Sequence, residues 1–321
     1  MSINRKTKQN VKSAYLFPGQ GSQKAGMGKD LFYASPSAKA VFEEVDHALG
    51  RSLSKLIFDG DDTEITKTVN AQPAIMAVSL ACFSAFEEGL SENDTQKPIY
   101  VAGHSLGEYT ALVVSGVLEI GHAAQLVQER GRLMQQACDA NPGTMAAILG
   151  LEVSNVEKIT KATGTYISNI NTPQQIVISG DKTSVSNALK LASSEGAKKS
   201  IQLHVAGAFH SNLMETAQPG LLEMIEALPF KNPATPIISN CTSDPLYSAE
   251  EVKLELVDQI TSCVQWNSSM NKMIDAGVSH FLEIGPGSAL SSMTKRIDRS
   301  VRTTNISNMG DIETYRKYLN D

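Results

Sequence analysis

The sequence lacks a run of about 18–20 consecutive apolar residues, the length that a transmembrane helix requires. It is also poor in cysteine, and its four cysteines show neither C-x-x-C spacing nor the density of a disulfide scaffold: Cys82, Cys138, Cys241 and Cys263. A reducing, cytoplasmic location without structural zinc is therefore expected. A formal net charge of -6 argues against general attraction to nucleic acid, so we expect no nucleic-acid partner. The lack of a long apolar run leads us to expect no membrane partner either.

The first residues lack the apolar core of a signal peptide. Residues 1–12 (MSINRKTKQNVK) are polar and rich in basic side chains, which predicts a disordered N-terminal lead-in. Over the whole chain of 321 residues, 41% are hydrophobic and 19% are charged. This composition is ordinary for a soluble globular enzyme and selects no function.

Strand-like and helix-like segments alternate along most of the chain, which predicts an α/β sheet with covered faces. The predicted strands are residues 13–17, 98–102, 235–240 and 280–284. The predicted helices are residues 37–49, 73–90, 106–115, 122–137, 249–260 and 267–276, with a further helix after His210. These segments assign residues 13–137 and 206–321 to one large α/β body.

The order of predicted helices and strands changes between residues 138 and 205. There the order of predicted elements is β-α-β-β-α-β, at residues 144–150, 153–163, 165–170, 175–180, 183–195 and 199–205. This is the ferredoxin-like arrangement, so we predict a small subdomain at 138–205 inserted into the large one. A cleft site is expected at the seam between them.

The stretch VAGHSLGEYT contains Gly103-His104-Ser105-Leu106-Gly107, a G-x-S-x-G pattern between a predicted strand and a predicted helix. In that setting the pattern is typical of a nucleophile elbow, with the serine raised on a sharp turn. The alternative is a glycine-rich helix start without catalysis. A serine on an elbow can pass an acyl group to water or to another acceptor, and the pentapeptide does not distinguish these outcomes.

A serine nucleophile needs a base within hydrogen-bond reach, and six histidines are available. We favour His210, because it follows a Gly-containing turn at the predicted seam. His104 is expected to pack or hydrogen-bond within the elbow, and His204 to be structural within a strand. The chain order of serine before histidine also fits an α/β-hydrolase-like core. The other three are expected to be surface or structural residues: His47, His122 and His280.

No acid stands out as the third member of a triad. Asp139, Asp181 and Asp258 are possible orienters of the histidine, but none lies in a distinctive motif. A backbone carbonyl or an amide could fix the imidazole tautomer instead.

The segment FPGQGSQKAGMG at residues 17–28 is glycine-rich and follows the first predicted strand. It fits no phosphate-binding register, so a nucleotide loop is the weaker interpretation. Such a loop can supply an oxyanion-hole donor beside the N–H that follows the nucleophile. We place these donors at Gln20 and Leu106, with a plain tight turn as the alternative.

Five blocks together carry a resemblance to a known family: YLFPGQGSQ, AGHSLGEYTAL, ERGRLMQ, GAFHSNLM and LEIGPGSAL. Their order and spacing over about residues 14–300 resemble the malonyl-CoA:acyl-carrier-protein transacylases of type II fatty acid synthesis and the related acyltransferase domains of polyketide synthases. The resemblance implies an α/β-hydrolase-like large subdomain with an inserted ferredoxin-like small one.

The resemblance also implies residue roles. Ser105 would be the acyl-accepting nucleophile and His210 the base, with Gln20 and Leu106 forming the oxyanion hole. Arg130 would bind the free carboxylate of malonate, which suits a planar guanidinium. The main-chain carbonyl of Gln259 would orient the histidine. Phe209 before the histidine resembles malonyl-selective members, although many fatty-acid members carry a proline in this motif where the chain has Gly207-Ala208.

The activity implied is transfer of malonyl from malonyl-CoA to the phosphopantetheine thiol of holo acyl carrier protein, without a cofactor or metal. Two alternatives stay open: a serine thioesterase or hydrolase on the same elbow, and a non-catalytic module that binds carrier protein. Because acyl carrier proteins are acidic, we consider a basic docking patch. Its candidate residues are Lys198, Lys199, Lys295, Arg296, Arg299 and Arg302. The alternative is that these side chains simply form a solvated face.

Overall fold

The computed structural model describes residues 11–88, 90 and 97–320. Its strands, in chain order, are β1 (Ser13–Phe17), β2 (Tyr100–Gly103), β3 (Thr144–Leu149), β4 (Tyr166–Thr172), β5 (Gln175–Gly180), β6 (Lys199–Gln202), β7 (Ile237–Ile238), β8 (Pro245–Leu246), β9 (His280–Ile284) and β10 (Arg302–Ile306).

The α-helices, in chain order, are α1 (Lys29–Ala34), α2 (Pro36–Leu49), α3 (Leu53–Asp59), α4 (Asp62–Thr66), α5 (Thr68–Glu88), α6 (Gly107–Val114), α7 (Ile120–Ala140), α8 (Val153–Thr163), α9 (Lys182–Ser194), α10 (Gln218–Glu226), α11 (Ala249–Gln259), α12 (Trp266–Asp275), α13 (Ala289–Ile297) and α14 (Met309–Asn320). A 3₁₀ helix, Asn212–Ala217, precedes α10.

The larger sheet has the order β10-β9-β1-β2-β7-β8. Its first five strands run parallel, and β8 is antiparallel to β7. All five residues of β1 are buried: Tyr15 and Phe17 pack into one apolar cluster, and Ala14 and Leu16 into another. A strand covered on both faces is expected to be continuously apolar, which explains the sequence SAYLF. The predicted α/β sheet with covered faces is thus confirmed.

Residues 144–202 form a second sheet with the order β4-β5-β3-β6, in which every pairing is antiparallel. Helices α8 and α9 pack with this sheet around a separate apolar cluster. The small sheet is tied to the rest of the chain at Val264, whose main chain exchanges hydrogen bonds with Ser168 and Ile170 of β4 at 2.8 and 2.9 Å.

Three neighbouring parallel strands position the candidate site. The carboxyl ends of β1, β2 and β7 meet at one edge of the larger sheet, where open α/β sheets bind ligands. At this edge, each strand is followed by a glycine-rich or polar segment. The glycine-rich loop follows β1, the G-x-S-x-G turn follows β2, and Asn240 comes soon after β7.

Several sequence-based boundaries differ from the structure. The strand predicted at 199–205 ends at Gln202, and the one predicted at 235–240 is only Ile237–Ile238. Residues 1–10 of the predicted lead-in lie outside the described residues. Lys12 departs from that expectation, because its Nζ donates to the Ala276 carbonyl at 3.0 Å and its own carbonyl accepts from Ser279 N.

Within the described ranges, one helix is long and apolar enough to cross a membrane by length and composition. This is α5, and 83% of its apolar window is buried inside the protein. It packs against α2 and α7. The core helix of a soluble protein meets the same criteria, although the sequence alone had indicated no such segment.

Candidate active site

Ser105 lies in the turn between β2 and α6, and its backbone is held in a strained conformation. Its φ is +52°, in the left-handed region that non-glycine residues rarely adopt. A Cβ at Gly103 would lie 1.8 Å from the main-chain carbon of Gly107, so the turn closes only with glycine there. The first residues of α6 follow at once, and their N–H groups favour negative charge near the serine.

Asn240 holds this turn from the neighbouring strand. Its Oδ1 accepts a hydrogen bond from Ser105 N at 2.7 Å, and its Nδ2 donates to the Gly103 carbonyl at 2.8 Å. The side chain is buried, at 2% exposure. Sequence reasoning missed this residue, although its position just beyond a short apolar strand at the same sheet edge was a usable signal.

His210 contacts the serine directly, as the sequence predicted. Its Nε2 lies 2.8 Å from Ser105 Oγ, and its Nδ1 lies 2.8 Å from the Gln259 carbonyl oxygen. A carbonyl oxygen can only accept, so Nδ1 carries the proton and Nε2 presents its lone pair to the serine hydroxyl. Burial and the nearby Arg130 guanidinium lower the pKa of His210 to about 3. The imidazole is therefore neutral at neutral pH and can accept the serine proton.

None of the three aspartates considered from the sequence hydrogen-bonds to His210. Asp139 accepts from Gln135 at 2.9 Å, Asp181 caps the start of α9, and Asp258 is exposed. The partner of Nδ1 is the main-chain carbonyl of Gln259, the residue that the family resemblance implied.

Arg130 projects from α7 to the same point, although it is almost completely buried. Its Nη2 donates to Ser105 Oγ at 3.3 Å and to Gln259 Oε1 at 2.8 Å, and its Nη1 donates to Gln72 Oε1 at 2.7 Å. The Tyr109 ring centroid lies 5.2 Å from Cζ. These three acceptors are neutral, so a buried positive charge lies beside the nucleophile. Gln72 has no motif in the sequence that would have identified it.

A cavity of about 350 Å³ opens over Ser105, with Gln20, Leu106, Arg130 and His210 on its wall. A Cβ at Gly19 would lie 2.3 Å from the His104 carbonyl oxygen, so the glycine-rich loop lies directly against the elbow. Strands of the small sheet and the segments that follow β1 and β2 of the larger sheet contribute to the wall, as expected for a seam site. The apolar part of the wall includes Met134, Met145, Val177, Leu203 and Phe209.

Two other histidines reach this region without contacting the serine hydroxyl. Nε2 of His104 lies 2.8 Å from Asn171 Oδ1, and its ring packs 5.3 Å from that of Trp266. Burial lowers the pKa of His104. The structural role expected for His204 within a strand is wrong, since β6 ends two residues earlier and His204 is exposed on the cavity wall.

The six basic residues considered as a docking patch are all exposed. Lys295 and Arg296 belong to α13, whose first residues Ala289 and Leu290 line the cavity. Arg302 is farther along, and its guanidinium stacks 4.0 Å from the Tyr318 ring centroid. Separately, no group of three or more histidine, cysteine, aspartate or glutamate side chains among the described residues could hold a metal ion.

Comparison with known proteins identifies the family. Residues 14–319 match the acyl transferase domain family. The chain belongs to this family. The acyltransferase is 43% identical over 308 residues to the malonyl CoA-acyl carrier protein transacylase of Bacillus subtilis (strain 168), covering 94% of this chain and 95% of the relative. The resemblance stated from the sequence is thus confirmed.

Solved structures agree with this assignment. The acyltransferase matches the acyl-carrier-protein-S-malonyltransferase of Bartonella henselae with a TM-score of 0.92 and 38% identity, over 97% of this chain and 100% of that one. It also matches a malonyl-transacylase in complex with a type II PKS acyl-carrier protein, with a TM-score of 0.91 and 35% identity, over 96% and 99% of the two chains.

Proposed function

We propose that this acyltransferase moves a malonyl group from malonyl-CoA to the phosphopantetheine thiol of acyl carrier protein, through a malonyl ester on Ser105. The observation that carries the proposal is the buried Arg130 guanidinium, whose Nη2 lies 3.3 Å from Ser105 Oγ. If a malonyl group were esterified to this oxygen, its free carboxylate would lie within reach of the Arg130 cation. The names of the similar proteins, which state malonyl transfer and acyl carrier protein, support the same activity.

In the first half-reaction, Ser105 Oγ attacks the thioester carbonyl of malonyl-CoA while His210 Nε2 takes its proton. Main-chain N–H groups of Gln20 and Leu106 stabilise the oxyanion of the tetrahedral intermediate. As the intermediate collapses, the carbon–sulfur bond breaks. The proton on His210 passes to the departing sulfur, and coenzyme A leaves as the free thiol.

In the second half-reaction, the phosphopantetheine thiol gives its proton to His210 and attacks the malonyl ester. Collapse returns the proton to Ser105 and releases the malonyl thioester of the carrier protein. The carbonyl of Gln259 keeps the imidazole in one tautomer through both halves. Arg130 holds the malonyl carboxylate throughout. Each half-reaction exchanges oxygen and sulfur at an acyl carbon while His210 carries the proton, and this chemistry requires no cofactor.

We also propose a division of the fold into an α/β-hydrolase-like large subdomain, residues 13–137 and 206–321, and a ferredoxin-like small subdomain, residues 138–205. The element order β3-α8-β4-β5-α9-β6 and the antiparallel sheet order β4-β5-β3-β6 support the second part. The parallel strands and the strained serine turn support the first.

Acyl carrier protein is proposed to approach the cavity from the side of α13. The exposed Lys295 and Arg296 lie on this helix, and its first turn lines the cavity wall. Cationic side chains there suit an acidic partner. A cytoplasmic location fits such a partner and the four cysteines, which are all free.

Mass spectrometry of the intact protein after brief mixing with malonyl-, methylmalonyl- and acetyl-CoA tests the function. We expect a malonyl adduct that Ser105→Ala does not form and that holo acyl carrier protein removes. Steady release of free malonate without carrier protein would instead indicate the serine hydrolase. The absence of any adduct on the wild-type protein would indicate a non-catalytic binding module.

A further inference from the structure

Glu108 is a buried carboxyl group directly beneath the serine turn, and sequence reasoning did not single it out. It lies in the first turn of α6 and is 1% exposed. Its Oε2 accepts a hydrogen bond from Gln259 Nε2, and its Oε1 accepts from the main-chain N–H of Asn240 at 3.2 Å. Burial and nearby Glu255 raise the pKa of Glu108 well above its usual range.

The side-chain amide of Gln259 lies between this carboxyl group and the guanidinium. Its Oε1 accepts from Arg130 Nη2 at 2.8 Å, and its Nε2 donates both to Glu108 and to the Ser105 carbonyl at 3.0 Å. An amide has two orientations, related by exchange of oxygen and nitrogen. Arg130 offers a donor on one side of the Gln259 amide, and Glu108 and the Ser105 carbonyl offer acceptors on the other side. Only one of the two amide orientations satisfies all three groups.

Gln259 therefore connects three parts of the site: its main-chain carbonyl orients His210, its Oε1 binds Arg130, and its Nε2 holds the main chain of Ser105. We propose that Glu108 is a positioning residue that fixes the Gln259 amide, and through it the arrangement of nucleophile, base and guanidinium. This inference rests on the proposed function. Glu108 itself contacts none of the reacting atoms.

Glu108→Gln is the test variant, because it preserves shape but replaces one acceptor oxygen with an amide nitrogen. That nitrogen cannot accept, so either Gln259 Nε2 or Asn240 N loses its acceptor. We expect the rate of Ser105 acylation at saturating malonyl-CoA to fall on the order of ten- to hundred-fold. Glu108→Leu removes both acceptor oxygens, so the Gln259 amide loses its acceptor whichever way the glutamine of the first variant turns. Rapid-quench mass spectrometry measures the rate in both variants, and an unchanged rate in both would overturn the proposal.

Asp46→Asn is the matched control. Asp46 is half-buried, and its carboxyl group likewise accepts from two donors, Ser54 N at 2.8 Å and Ser54 Oγ at 2.5 Å. Neither residue lines the cavity, and Asp46 forms no hydrogen bond to Ser105, His210, Arg130 or Gln259 within the described part of the chain. We expect it to lower the melting temperature as Glu108→Gln does, while its acylation rate stays near wild type.

A double-mutant cycle separates positioning from general destabilisation. Gln259→Ala removes the amide but keeps the main-chain carbonyl that orients His210. If Glu108 acts through the amide, Glu108→Gln should cause little further loss in the Gln259→Ala background. Losses that multiply would overturn the proposal. Should Glu108→Gln fail to fold, a wild-type acylation rate in Gln259→Ala alone would overturn it equally.

The wild-type protein, measured in the same experiment, distinguishes this inference from the proposed function. No malonyl adduct on the wild type would refute the function itself. A normal adduct on the wild type, together with normal rates in Glu108→Gln and Glu108→Leu, would refute only the role of Glu108.

Discussion

Replacing Arg130 with alanine should separate carboxylated from uncarboxylated substrates. The guanidinium is 1% exposed and its Nη2 lies 3.3 Å from Ser105 Oγ, so a malonyl carboxylate would meet it out of bulk water. Removing one partner of such a charge-assisted pair costs about 2–4 kcal/mol. At about 1.36 kcal/mol per tenfold change, this corresponds to a roughly 30- to 900-fold fall in kcat/KM for malonyl-CoA.

Acetyl-CoA is the internal control for this substitution, because it lacks the carboxylate. Arg130 also donates to Gln72 and Gln259, and the loss of those hydrogen bonds affects both substrates. The ratio of kcat/KM for malonyl-CoA to that for acetyl-CoA therefore isolates the carboxylate contact. Acylation of Ser105 by each thioester, followed by quenched mass spectrometry, measures it. Equal falls for the two substrates would refute carboxylate binding by Arg130.

Four further predictions concern the base, the docking helix and the loop beside the elbow. Because the pKa of His210 is lowered to about 3, acylation should persist below the range near 6.5 where an ordinary imidazole titrates, and an acid limb at about 6.5 would contradict this. The same shift predicts that stability to unfolding falls as pH drops from about 6.5 toward 3, since only the unfolded chain then binds the proton. Lys295→Glu with Arg296→Glu should raise KM for acyl carrier protein in the transfer assay and leave acylation by malonyl-CoA unchanged; equal effects on both would count against docking at α13. Gly19→Ala should slow acylation at least about tenfold, because its Cβ would lie 2.3 Å from a main-chain oxygen. Gly121→Ala, whose Cβ would meet nothing closer than 3.5 Å, should leave the acylation rate unchanged. Similar rates in the two variants would show that the loop tolerates displacement.

The sequence predicted best those features that a local pattern encodes. Short apolar runs identified the buried strands, and the glycines around Ser105 identified its turn, because only glycine fits there. The position of His210 at the seam and the order of five motifs then brought serine, base and arginine together. Regular helices such as α8 and α9 were also placed within a residue of their observed bounds.

What the sequence missed depends on contacts between distant parts of the chain. Asn240, Glu108 and Gln72 are common polar residues, and their importance lies in partners 58 to 151 residues away. Short helices such as α1, α3 and α4 escaped prediction because segments of five to seven residues show little periodicity. Tertiary packing, rather than local propensity, determines those segments.

The neutral partner of His210 has a consequence for the lifetime of the acyl ester. Burial and the nearby Arg130 guanidinium lower the pKa of His210, and the main-chain carbonyl that orients the imidazole supplies no full negative charge to offset them, so His210 is a weak base. Water, with a pKa of about 15.7, depends strongly on such a base, whereas a thiol with a pKa of about 8.5 depends on it much less. If the proposed function is correct, the malonyl ester on Ser105 therefore resists hydrolysis until the phosphopantetheine thiol binds. Chemical selectivity against solvent then arises from the modest strength of the base, even in an accessible cavity.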